Sequence, residues 1–185
     1  THRALLVVDY SYDFIADDGL LTCGKPGQNI EDFIVSRIND FNYYQDHIFF
    51  LMDLHYLHDI HNPESKLFPP HNIVDTSGRE LYGKVGKLYE TIKAQPNVHF
   101  IDKTRYDSFF GTPLDSLLRE RSINQVEIVG VCTDICVLHT AISAYNLGYK
   151  ISVPAEGVAS FNQKGHEWAL AHFKNSLGAE VEQHV

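Results

Sequence analysis

Ala4-Leu5-Leu6-Val7-Val8-Asp9 is an unbroken apolar run closed by a carboxylate. A strand with one wet face alternates apolar and polar residues. A run that is apolar at every position needs cover on both faces, as in a parallel sheet held between helices. Nearly all-apolar runs follow at His47 to Met52, Val98 to Ile101, Val126 to Val129 and Ile151 to Val153, and a short edge strand is expected near Glu180 to Glu182. The stretches between them carry helical spacing: Asn29 to Gln45, Arg79 to Ala94, Pro113 to Arg121, Thr133 to Asn146 and Asn162 to Leu177. Thr112 and Pro113 suit an N-cap and first helical position, and Gly148 and Gly178 suit helix ends. Strand and helix alternate throughout, which predicts a parallel sheet with crossover helices in one domain spanning residues 1–185.

The chain has 185 residues and a formal charge of -9, with 24 acidic against 15 basic side chains. That balance repels phosphate backbones and anionic lipid, so neither nucleic acid nor a membrane is an expected partner. Its longest apolar runs fall far short of the roughly 18 residues that span a bilayer, and the N-terminus has no signal-peptide pattern. A cytoplasmic protein is expected, with Cys23, Cys132 and Cys136 as free thiols in a reducing compartment. The chain begins at Thr1 rather than Met, the pattern of terminal residues missing or processed.

Ligands of open parallel sheets bind beyond the carboxyl ends of the strands. Those ends carry Asp9, Asp53, Asp102 with Lys103, and, through Gly130 and Val131, Cys132 and Cys136. Taken singly, an Asp there caps a turn, a Lys is solvated and a Cys is a small hydrophobe. Together they gather carboxylates, an ammonium and a thiol at one edge. Cys136 is expected in the first turn of its helix, where N–H groups and the helix dipole lower a thiol's pKa. Asp9 can take and return a proton, Lys103 can steady a thiolate, and free N–H groups at Cys132 and Cys136 suit an oxyanion. Acyl transfer through a thioester is the chemistry this set supports.

Leu54 to Gly78 breaks the alternation, with three prolines and four histidines. A structureless stretch of that length is usually functional. In Asp53-Leu54-His55 the outer two residues share one face of an extended segment, and a loop returning through His71 could close a site for Zn, Fe or Mn. His58, His61 and Glu64 are rival ligands. Phe14, Phe68, Tyr106, Phe109 and Phe110 lie close by in sequence, and Phe14 and Tyr106 would stand at the edge where a flat, apolar ring could stack.

These residues resemble the isochorismatase-like cysteine hydrolases, and among them the nicotinamidases, or pyrazinamidases, over essentially the whole chain. Ala4 to Asp9 with Asp13-Phe14 resembles the first motif, Asp53-Leu54-His55 with Pro69-Pro70-His71 the metal loop, and Lys103 after Asp102 the third. Gly130-Val131-Cys132-Thr133-Asp134-Ile135-Cys136-Val137, the most specific match, resembles the nucleophile segment of bacterial nicotinamidases. The resemblance implies an α/β fold: a three-layer, Rossmann-like α/β/α sandwich around a six-stranded, mostly parallel sheet, with a non-proline cis peptide before Cys132. It implies Cys136 as nucleophile, Asp9 as base then acid, Lys103 as cationic partner, and backbone N–H groups of Cys132 and Cys136 as the oxyanion hole. One divalent metal ion, zinc before iron or manganese, would be held by Asp53, His55 and His71, with Glu64 as fourth ligand. Nicotinamide would bind that metal through its ring nitrogen between Phe14, Phe68 and Tyr106 and be hydrolysed to nicotinate and ammonia, as in NAD salvage, with pyrazinamide also accepted. A homo-oligomer is compatible with it.

Two other readings stay in view. A metal-free isochorismatase or N-carbamoyl amidohydrolase would share the fold, but Asp53, His55 and His71 together argue against it. A non-catalytic metal-binding module would have no reason to keep Asp9, Lys103 and Cys136.

Overall fold

Among the described residues six strands pair in parallel: β1 (Arg3–Val8), β2 (His47–Asp53), β3 (Val98–Lys103), β4 (Gln125–Val131), β5 (Lys150–Ser152) and β6 (Val158–Ala159). The computed structural model describes residues 2–182, so Thr1 lies outside the described residues. The order is β3-β2-β1-β4-β5, and β6 pairs with the carboxyl half of β4 beyond the end of β5.

Alternation along β1 explains the three layers. Ala4, Leu6 and Val8 enter one apolar cluster with Leu114, Leu118, Val137, Ala141 and Phe173, while Leu5 and Val7 enter the other with Ile34, Ile38, Phe41, Val85 and Ile92. Thus α3 (Glu31–Tyr43) and α4 (Gly83–Ile92) cover one face. The other face is covered by α5 (Leu114–Glu120), α6 (Cys136–Asn146) and α7 (Gln163–Leu177). All five apolar residues of β1 after Arg3 are at most 1% exposed, and burying each larger one contributes about 1.5–3 kcal/mol.

Several boundaries differ from the sequence reading. The helix expected over Asn29 to Gln45 is α3, which starts after Ile30, where a separate short helix, α2 (Lys25–Asn29), has ended, and α1 (Tyr12–Ile15) is a short helix capped by Ser11. Arg79 to Ala94 begins its helix only at Gly83, because Leu81 makes an antiparallel bridge to Ser11. Pro113 is the N-cap of α5 rather than its first residue, although Thr112 Oγ1 still accepts a hydrogen bond from Leu114 N–H at 3.3 Å. The sixth strand is Val158–Ala159, not Glu180 to Glu182, of which Glu180 makes a single bridge to Ser152.

The register lines up the strand ends. Asp53 pairs with Lys103, Val8 pairs with both Leu51 and Gly130, and Asp9 continues past Val8, its N–H donating to Leu51 O at 2.9 Å. Gly130 is required here: its φ is +118°, and a Cβ would lie 2.0 Å from Val8 O. Among the described residues no helix is long and apolar enough to cross a membrane.

Candidate active site

The strand ends deliver Asp9, Asp53, Lys103 and Cys136 to one buried cluster, each at most 4% exposed. Lys103 Nζ lies 2.9 Å from Asp9 Oδ2, is ion-paired to Asp53 Oδ1, and donates to Arg105 O at 3.1 Å and to Cys136 Sγ at 3.6 Å. Asp9 Oδ1 accepts the Asp53 N–H at 2.9 Å. At a φ of 51°, which Asp tolerates better than most residues, Asp9 turns the chain out of the sheet.

Charge and burial set the protonation of this group. Burial and the neighbouring Asp53 push Asp9 up to about 6, against the downward pull of Lys103. Burial also disfavours the Asp53 carboxylate, yet Lys103 and His55 win and hold it down at about 2. Burial opposes the Lys103 ammonium, but Asp53 and Asp9 raise its pKa well above normal. Burial pushes the Cys136 thiol well up, and the opposing effect of Lys103 is smaller. The direction is opposite to the expected lowering: α6 begins at Cys136 itself rather than near Thr133, and desolvation outweighs the pull of Lys103. The Val131–Cys132 peptide is cis.

The loop after β2 returns on itself. His55 N–H donates to Asn72 O at 3.1 Å, Val74 N–H donates to His55 O at 2.8 Å, and the Asp13 carboxylate accepts the Asn72 N–H at 2.8 Å. These bonds bring His71 beside His55. Asn62 caps the turn Pro63–Lys66, its Oδ1 accepting from Glu64 N–H at 3.0 Å, which aims Glu64 inward. His55 Nε2 then lies 3.5 Å from Asp53 Oδ2 and 3.7 Å from Glu64 Oε1, and His71 Nε2 lies 3.9 and 3.7 Å from the same atoms.

That cluster fits a metal ion. A tetrahedron with bonds of about 2.1 Å has edges of about 3.4 Å, close to these four spacings. Asp53 Oδ2, His55 Nε2 and His71 Nε2 are buried with no hydrogen-bond partner among the described residues, an expensive condition unless something binds them. The His71 Nδ1–H donates to Pro69 O at 2.8 Å, leaving Nε2 as the free lone pair. Three buried carboxylates, Asp9, Asp53 and Glu64, face one ammonium, and burial with Asp53 pushes Glu64 up to about 7. A divalent cation offsets that excess. Of the rival ligands, Glu64 joins Asp53, His55 and His71, and His58 and His61 do not.

A narrow cavity opens beside Cys136, Asp53 and His71. Phe14, Phe68 and Tyr106 line it, with Leu21, Ile135 and Phe161, which sequence reasoning missed. Phe161 follows a two-residue strand too short to register as a pattern, so its position carried no signal. Phe109 packs into the core, and Phe110 is 60% exposed and faces a separate groove. Cys23 and Cys132 are free, their sulfurs 3.4 Å apart.

The isochorismatase domain model matches residues 3–184. The chain is 52% identical over 179 residues to the uncharacterized isochorismatase family protein PncA of Bacillus subtilis, covering 97% of this chain and 98% of that one. It superposes on the crystal structure of the nicotinamidase SaPncA from Staphylococcus aureus with a TM-score of 0.86 at 88% identity, over 99% of both chains. The pyrazinamidase of Pyrococcus horikoshii, crystallised in complex with zinc, matches over 100% of both chains with a TM-score of 0.86 at 26% identity.

Proposed function

The chain belongs to the isochorismatase family, and from that membership we propose that it is a nicotinamidase, hydrolysing the carboxamide of nicotinamide to nicotinate and ammonia and accepting pyrazinamide as well. The observation that carries this reading is that Cys136, held beside Asp9 and Lys103, lines one aromatic-walled cavity together with Asp53, Glu64 and His71 of the four-donor cluster.

The geometry supports a thioester route. Asp9 takes the Cys136 proton, and Lys103, 3.6 Å from Sγ, stabilises the thiolate that forms. The thiolate attacks the amide carbon, and the N–H groups of Cys132 and Cys136 receive the oxyanion. Asp9 returns its proton to the nitrogen, so ammonia leaves and a Cys136 thioester remains. Asp9 then removes a proton from water, the hydroxide attacks the thioester, and the proton passes to Cys136 as nicotinate is released. Phe14, Phe68 and Tyr106 hold the ring flat so that the carboxamide faces sulfur.

Asp53, His55, Glu64 and His71 are the residues that would hold the metal, with zinc the ion proposed. Such an ion supplies a Lewis acid able to take an aromatic ring nitrogen as a ligand. The four buried donors also weigh against a metal-free amidohydrolase, in which nothing would satisfy them.

Incubation of the purified protein with nicotinamide tests the proposal. Nicotinate and ammonia should appear in equal amounts, and neither should appear with Cys136→Ala. Release of ammonia by the Cys136→Ala protein at the wild-type rate would overturn the assigned nucleophile.

A further inference from the structure

The donor cluster is a partition between two cavities. On one side lies the aromatic cavity beside Cys136. On the other, a second cavity of about 170 Å³ is lined by His55, Glu64 and His71 from the cluster and by His58, Asp59 and Ser65. Glu64, Phe68 and His71 line both cavities.

The two sides differ in what they offer an ion. The aromatic cavity sets Tyr106, Cys132 and Cys136 among Phe14, Leu21, Phe68, Ile135 and Phe161, and offers an ion no carboxylate or imidazole beyond those of the cluster. The second cavity adds an imidazole and a carboxylate from outside the cluster, the exposed His58 and the half-buried Asp59, among Tyr56, Phe68, Pro69, Pro70 and Ile73. One Asp59 oxygen accepts from His61 N–H at 2.8 Å and from Asn62 N–H at 3.3 Å, which anchors the loop that carries both outer residues. His58 and His61 are the histidines that the cluster leaves out, and only His58 lines this cavity.

We infer that the metal ion enters and leaves through this second cavity, with His58 and Asp59 as transient ligands that hand it to His55, Glu64 and His71, on the side opposite the substrate. The inference rests on the metal site proposed above. A transient ligand lowers the barrier equally in both directions, so it changes the rates of uptake and release and leaves the affinity alone.

Rapid mixing of metal-free protein with Co²⁺, followed by the visible absorption of the bound ion, measures this directly, and release is read by mixing the loaded protein with excess chelator. The variant is His58→Gly with Asp59→Asn: glycine accepts the φ of 63° at position 58, and asparagine keeps an acceptor for the two N–H groups. Uptake and release should both slow by at least about fivefold, the Co²⁺ affinity should stay within about twofold, and turnover of the fully loaded variant should match wild type. Phe161→Ala, which widens the opposite mouth, should leave Co²⁺ uptake unchanged. Faster uptake in Phe161→Ala, with no change in the double variant, would overturn the route while leaving the metal site standing. Absence of any Co²⁺ spectrum in the wild-type protein would overturn the site itself, and the route with it.

Discussion

Lys103 Nζ and Asp9 Oδ2 stand 2.9 Å apart with neither side chain open to solvent. An ammonium is buried at such a place only when its partners repay the lost hydration, and here Asp9, Asp53 and Arg105 O do so together. Lys103 Nζ also lies 3.6 Å from Sγ of Cys136, which lines the aromatic cavity, so stability and chemistry depend on the same charges.

Replacement of Lys103 should therefore do two things at once. Lys103→Met leaves Asp9 and Asp53 as neighbouring buried carboxylates, and removing one partner of a buried ion pair costs about 3–5 kcal/mol. Urea denaturation of the variant should show a loss of that order, together with loss of turnover. Wild-type stability in Lys103→Met would contradict the charge balance described above.

Cys136→Ala should abolish nicotinate formation and leave nicotinamide binding close to wild type, because Phe14, Phe68 and Tyr106 wall the cavity and the proposal asks the thiol to act only as nucleophile. Calorimetric titration with nicotinamide separates the two effects. Loss of binding together with turnover would mean that Cys136 shapes the cavity rather than reacting.

Glu64→Gln should weaken metal binding by at least about tenfold, since it removes one negative charge from the cluster and leaves a weaker, neutral amide oxygen in place of the carboxylate. His61→Ala should not, because its imidazole is outside the cluster. Competition with a coloured chelator measures both. The reverse pattern would exchange the roles assigned to the two residues.

Acid should destabilise the protein through the imidazoles of His47 and His99, whose rings stack with His47 Nδ1 3.0 Å from His99 Nε2. Burial and His47 push His99 down to about 4, and burial lowers His47 as well. Below its ordinary value near 6.5 the unfolded chain binds a proton that the folded chain refuses, so this stability is full above about pH 6.5 and is lost as pH falls toward about 4. Urea midpoints between pH 7 and pH 4.5 should fall more steeply for wild type than for His99→Phe, which keeps the stack on Phe49. Equal slopes would remove the pair from the acid response.

What the sequence made legible follows from which signals are local. Ala4 to Asp9 could be read because apolar character at every position has one structural meaning, and Asp9, Asp53, Lys103 and Cys136 could be read because they end such runs. The sixth strand, Val158–Ala159, is two residues long and has no period, so the pattern placed an edge strand instead at Glu180, which makes only a bridge. Glu64 could not be separated from His58 and His61 by spacing, because a turn capped by Asn62 decides which side chain points inward. The thiol of Cys136 was misjudged for a related reason: a helix terminus is visible in sequence, and the depth at which it is buried is not.

The most direct test of the account follows nicotinate formation from nicotinamide by wild-type protein against a matched sample stripped by chelator. Turnover should disappear on stripping and return on addition of Zn²⁺, Fe²⁺ or Mn²⁺, which would tie the Cys136 cluster and the Asp53, His55, Glu64 and His71 cluster to one reaction. Undiminished turnover in the stripped protein, or none with any of the three ions, would contradict it.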